Sequence, residues 1–137
     1  MDVVLQSFAA GFPVLMLHLL VTLAMLAGGV VLYTITTPHK DFALVREGNL
    51  AAAISLAGAI LGLAIPLAFC MASSVSVAEI VIWGVLAVFV QILVFRLSDL
   101  LLRDLSSRIE SGEMAAAVLL AGIKLSVAAV NAAAISG

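Results

Sequence analysis

Lys124 has the least ordinary surroundings of any ionisable side chain in this sequence, for it falls eleven residues into an apolar stretch, 114–136, that holds no other charge. At a bilayer centre a lysine costs about 2.5 to 3.5 kcal/mol on insertion scales. Three states are open to it: a lysine held neutral by desolvation, a lysine bonded to polar side chains or free carbonyls, or a cation lining a water-filled cavity. Counting depth along antiparallel neighbours puts Gln91 about a turn inward from Lys124 and His18 about a turn outward, while Asn131 lies further along the same helix. The nearest acids by that count, Glu79 and Asp99, fall near the two faces, so no carboxylate is expected level with the lysine. His18, Gln91 and Asn131 can each hydrogen-bond across helices for about 0.6 to 2 kcal/mol. Packing is the first expectation for all three, since a proton relay through His18 requires a continuous polar path.

Other chemistry is thinly represented. The second histidine, His39, is not at metal-ligand spacing from the first, Cys70 is the single cysteine, and there is no phosphate-cradling glycine loop or nucleophile motif. Intramembrane catalysis by Ser55, Ser126 and His18 is conceivable, but nothing in their spacing selects it. The chain is therefore expected to be non-enzymatic and to hold neither cofactor nor metal. A net charge of −2 gives no reason to expect a nucleic-acid partner.

The elements that must position these side chains follow from composition. With 65% hydrophobic residues, 10% charged residues and a mean hydropathy of +1.33 over 137 residues, the chain has more apolar surface than one small core can hide. A helix needs about 20 apolar residues to cross the hydrocarbon, and four stretches qualify: Gly11 to Tyr33, Leu50 to Met71, Val77 to Leu97, and Met114 to Ser136. An all-α integral membrane protein of four transmembrane helices is predicted, forming a single membrane domain over residues 1–137. The first helix is expected to be retained rather than cleaved as a signal peptide, because the first eleven residues hold Asp2 and no cation.

Arrangement follows from charge and repetition. Lys40 and Arg46 separate the first two helices, and Arg96, Arg103 and Arg108 lie at the end of the third and before the fourth. Because cations accumulate on the cytoplasmic side, both charged segments are predicted inside and both termini outside. Sliding the chain by 64 residues aligns Gly48 to Ala53 with Gly112 to Ala117 and gives ten matches in 21 positions. This suggests two tandem hairpins in a parallel repeat, about 11–71 and 77–136. Each has an amphipathic cytoplasmic segment. In the first, Thr37 and Pro38 are suited to open a short helix that Gly48 ends, with Phe42 and Val45 turned to lipid or protein. In the second, Leu97, Leu101, Leu105 and Ile109 recur every four residues, with Arg96, Asp99 and Arg103 at pairing distance on another face. Arg103 and Arg108 are candidate docking residues for a cytoplasmic partner. Gly58 with Gly62, and Gly122 with Ser126, occupy equivalent places where backbones can approach closely, within one subunit or between copies. Pro66 frees the carbonyl of Gly62 and is expected to kink its helix.

One further pattern spans nearly the whole chain: Tyr33-x-x-x-Thr37-Pro38-His39, Gly48-Asn49-x-Ala51-Ala52, Gly62-x-x-Ile65-Pro66-Leu67, Trp83-Gly84, Gln91 and Asn131-Ala132-Ala133. In these blocks the sequence resembles the domain of unknown function 350 family, the YjfL-like small bacterial inner-membrane proteins. The resemblance implies a four-helix inner-membrane protein built of two hairpins, with no reaction or site attached. Members look like companions of envelope-associated proteins, including membrane-stress and flotillin-type partners. The expected function is a scaffold or accessory of the bacterial envelope, embedded in the lipid bilayer, homo-oligomeric and docked to a membrane-associated partner. The alternative is an oligomeric small channel or transporter with a polar path near Lys124.

Overall fold

The computed structural model describes residues 1–36 and 41–136 and is helical throughout, with no strand among these residues. The elements are α1 (Asp2–Thr36), α2 (Asp41–Arg46), α3 (Leu50–Ser73), α4 (Val77–Leu101), α5 (Arg103–Glu110) and α6 (Met114–Ser136). Four of them, α1, α3, α4 and α6, are long and apolar enough to cross a membrane. The predicted start of the fourth membrane helix and both its bounds agree with α6, whereas the first begins nine residues earlier than expected, at Asp2. Thr37, Pro38, His39 and Lys40, and with them the expected opening of the first amphipathic helix, lie outside the described residues.

Local chemistry explains where the helices start and turn. Asn49 caps α3 by accepting from Ala52 N at 3.0 Å, and Ser76 caps α4 by accepting from Glu79 N at 3.3 Å. The two elbows close alike. Gly48, at φ 85°, donates to Val45 O at 3.0 Å, and Asn49 N donates to Leu44 O at 2.9 Å. Gly112, at φ 89°, donates to Ile109 O and Glu113 N to Arg108 O, both at 2.9 Å. A glycine in this left-handed conformation ends each short helix without a Cβ penalty. Asn49 also ties the elbows together, its Nδ2 donating to Ile109 O at 3.2 Å and Glu110 O at 3.1 Å.

The long helix α3 sits in the middle, packing against α1, α4 and most extensively α6. Glycine makes that approach possible. A Cβ on Gly58 would lie 2.7 Å from Ala121 Cβ and 2.9 Å from its Cα, and one on Gly62 would lie 2.6 Å from Phe95 Cζ. Gly122 and Ser126, expected to play the same part in the second hairpin, face outward instead, and a Cβ on Gly122 meets nothing within 4 Å. The pairs hold equivalent sequence positions, but α3 is covered on several sides while α6 is covered on one. Pro66 is buried within α3, which runs on through it to Ser73.

Two packed clusters result. One joins α1, α3 and α4 through Tyr33, Leu56, Leu63, Leu67, Val88, Ile92 and Phe95. The other, at the elbows, joins Ala51 and Ala52 to Leu105, Ile109, Ala116, Ala117 and Leu120. The amphipathic stretch expected as one helix from Leu97 to Ile109 is broken at Leu102, where φ is −118° and ψ is 44°. The break turns Leu105 and Ile109 inward while Leu97 and Leu101 remain exposed to the surroundings. Phe42 is half-exposed, and Val45 packs against both clusters.

Candidate functional site

The polar interior gathers at two levels of the bundle. At the elbow end, Lys124 Nζ donates to Tyr33 Oη at 2.5 Å and stands 3.4 Å from Asp99 Oδ1. Its side chain is 0% exposed and that of Asp99 2%. The ammonium also lies 4.7 Å from the centroid of the Tyr33 ring and 5.3 Å from that of Phe95, and the two rings meet edge-to-face at 5.7 Å. Each component reinforces the rest: the carboxylate neutralises the cation, the phenol oxygen accepts from it, and the Phe95 ring is attractive to positive charge.

This placement corrects the depth count, which left no carboxylate level with Lys124. The eight residues of α5 place about 12 Å of helix between the end of α4 and the start of α6, enough for α6 to start from a deeper plane than α4 ends on. Ten residues along α6 amount to about 15 Å, which brings Lys124 back to the last turns of α1 and α4. Its stem leans toward the N-terminus of its helix, as helical side chains do. Asp99 accordingly faces inward, apart from the partly buried Arg96 and the exposed Arg103 expected to share its face. The sequence contained a usable signal for both partners, since Tyr33 and Asp99 each lie in the last turn of a membrane helix that precedes an elbow.

Two turns away along α4, Gln91 Oε1 accepts from Asn131 Nδ2 at 2.9 Å, so the expected polar residues Gln91 and Asn131 do meet. His18 joins neither group; its backbone carbonyl accepts from Thr22 Oγ1 at 2.7 Å. Among the described residues, four buried side-chain polar atoms take no hydrogen bond: Ser55 Oγ, Gln91 Nε2 and both carboxylate oxygens of Asp99. For Asp99 the neighbouring ammonium supplies the compensation by charge instead.

The docking candidates separate as well. Arg108 is bound to Glu113 through two contacts, one from Nε at 2.7 Å and one from Nη2, and its Nη1 lies 3.5 Å from Asp104. Hydrogen bonds from the guanidinium, aided by its charge, hold the Glu113 carboxyl below the usual carboxylate range. Arg103 is exposed. No group of three or more potential metal-ligating side chains occurs among the described residues.

Four membrane-length helices around a buried lysine–aspartate pair define a multi-pass helical membrane protein. The chain belongs to the family described as Domain of Unknown Function (DUF350), whose model matches residues 7–135. It is 32% identical over 102 residues to the "UPF0719 inner membrane protein YjfL" of Escherichia coli strain K12, covering 74% of this chain and 77% of that one, and the protein of the same name in strain O157:H7 matches equally. No solved structure matches the chain significantly. The relatives and the four spanning helices agree on a multi-pass protein of the inner membrane.

Proposed function

We propose that the protein is a non-enzymatic scaffold or accessory of the inner membrane, built from a duplicated hairpin and working through its elbows. The observation that carries this is the sealing of Lys124: its charge is engaged by Asp99, the Tyr33 hydroxyl and the Phe95 ring, which lock α6 to α4 and α1. The like closure of the two elbows, 64 residues apart, supports the duplication. The position of Arg46, Arg96, Arg103 and Arg108 at the elbow end supports a cytoplasmic location for that end. Arg103 is the better docking residue, because Arg108 is engaged in holding the α5–α6 turn. Affinity purification in mild detergent should recover a specific partner that Arg103→Glu loses and an outer-end substitution keeps; recovery of no partner defeats the scaffold.

Copies of the chain meet, in this proposal, along the outward face of α6. Exposed Ala115, Leu119, Gly122, Ser126, Ala129 and Ala133 recur there at alternating spacings of four and three, the period of a close helix seam. The exposed faces of α1 and α4 carry large residues such as Phe8, Leu20, Ile82 and Phe89 instead. The channel alternative draws on the buried atoms of Ser55, Gln91 and Asp99 that take no hydrogen bond. It requires ion or proton flux in liposomes that changes with Lys124→Ala.

A further inference from the structure

At the end of the bundle away from the elbows, a crevice of about 220 Å³ opens between the α3–α4 turn and the last turn of α6. Ser73, Ser74, Glu79, Trp83, Ile135 and Ser136 line it. This lining offers more acceptors than donors, the donors being the Ser74 hydroxyl and the Trp83 indole N–H. Ser73 Oγ donates its proton to Phe69 O at 2.7 Å and Ser136 Oγ to Ala132 O at 2.9 Å, which leaves lone pairs for anything that enters. Glu79 accepts one bond, from Val75 N at 3.2 Å to Oε2, and Oε1 has no partner among the described residues. Both α3 and α6 end at the crevice, and neither has a basic residue in its last turn. Their terminal carbonyls add two negative dipole ends, against one positive end from the start of α4, which Glu79 in its first turn faces.

Trp83 completes the site. It is half-exposed, one turn from Glu79 on the same helix, and its ring face attracts cations. Six residues into α4, about 9 Å from the helix start, it sits where amphipathic aromatics meet the head-group layer. Its indole N–H makes no hydrogen bond within the described residues and is a donor suited to a phosphate oxygen beside the cation.

We propose that this crevice binds a primary ammonium group, carried by an amino-phospholipid head group or by a free amine. A carboxylate, hydroxyl oxygens and helix-end carbonyls reward a ligand with several N–H donors. A quaternary ammonium has none and relies on a cage of rings, of which there is one here.

Trp83 is the chain's single tryptophan, so its emission reports on the crevice directly. In nanodiscs of phosphatidylglycerol, increasing phosphatidylethanolamine should shift that emission saturably, and phosphatidylcholine should not. Glu79→Gln, which keeps an acceptor for Val75 N, should raise the half-saturating fraction at least fivefold. Native mass spectrometry of the unaltered protein from a mixed bilayer should show phosphatidylethanolamine retained over phosphatidylglycerol, a readout that needs no variant. Free ethanolamine added to phosphatidylglycerol discs separates the sources: a shift there assigns a soluble amine, and a shift with the lipid alone assigns the head group. Equal emission under all these conditions, or a Glu79→Gln titration matching the unaltered protein, overturns the site.

Discussion

The buried pair Lys124–Asp99 is two residues that would each be costly alone. Replacing Lys124 by Met should destabilise the bundle by about 3 kcal/mol or more, because an uncompensated carboxylate stays behind, while Lys124→Met with Asp99→Leu should regain most of the loss. Unfolding in detergent micelles measures both, and a double variant no better than the single one would show that the pair adds nothing beyond packing. Glu113 supplies a pH dependence at the surface. Its folded carboxyl is held below its ordinary range by Arg108, so its stabilisation is present above that range and is lost as pH falls through it and below. Acidification should loosen the α5–α6 turn, seen as lower amide protection factors at 108–113 against the intrinsic rate at each pH, and Glu113→Gln should remove the dependence. Both side chains are about two-fifths exposed, so salt should weaken the effect. At this scale the sequence exposed Lys124 as unusual from its apolar neighbours, and Gln91 and Asn131 as interior. It hid Tyr33 as a partner, since 91 residues separate the two and their common level depends on the reach of α5.

Among the elements, α3 was legible to within two residues because Asn49 caps it and its apolar run ends in serines. The break at Leu102 was not. It lies in a run of leucines with no glycine or proline to announce it, and it serves the docking of Leu105 and Ile109 onto Ala51, Ala52, Ala116 and Ala117, which only the packed bundle displays. The small-residue pairs teach the same lesson: equal spacing on two helices says how close a neighbour can come, and the neighbours themselves decide which pair is used. Gly58→Ala should cost about 1 to 3 kcal/mol, for its Cβ meets backbone of Ala121 that cannot swing aside. Gly122→Ala should be neutral or mildly stabilising in the isolated subunit. Paired thermal melts in detergent test the contrast, and equal losses would refute this assignment of inner and outer faces. Gly122 also permits a direct test of the α6 seam: Gly122→Cys should cross-link between copies in membranes, with the buried Cys70 contributing no background.

For the whole molecule, composition sufficed for the membrane class and for the four helices long and apolar enough to span, because length and hydropathy are properties of each segment alone. Orientation is a property of the insertion process and rests on the cations. With the elbows in the cytoplasm, alkaline phosphatase fused to the C-terminus should be active, and an inactive fusion would invert the topology. The 35 residues of α1 have a different consequence. At 1.5 Å per residue they span about 52 Å, well beyond a hydrocarbon layer of about 30 Å, and Tyr33 pins the far end at the level of Lys124. The surplus therefore emerges at the opposite leaflet, where Val3, Val4, Leu5 and Phe8 stand bare. A rod fixed at one end and too long at the other has to lean, or the lipid around its free end has to thicken. The stability of the subunit should therefore vary with bilayer thickness, which unfolding in bilayers of increasing acyl-chain length measures.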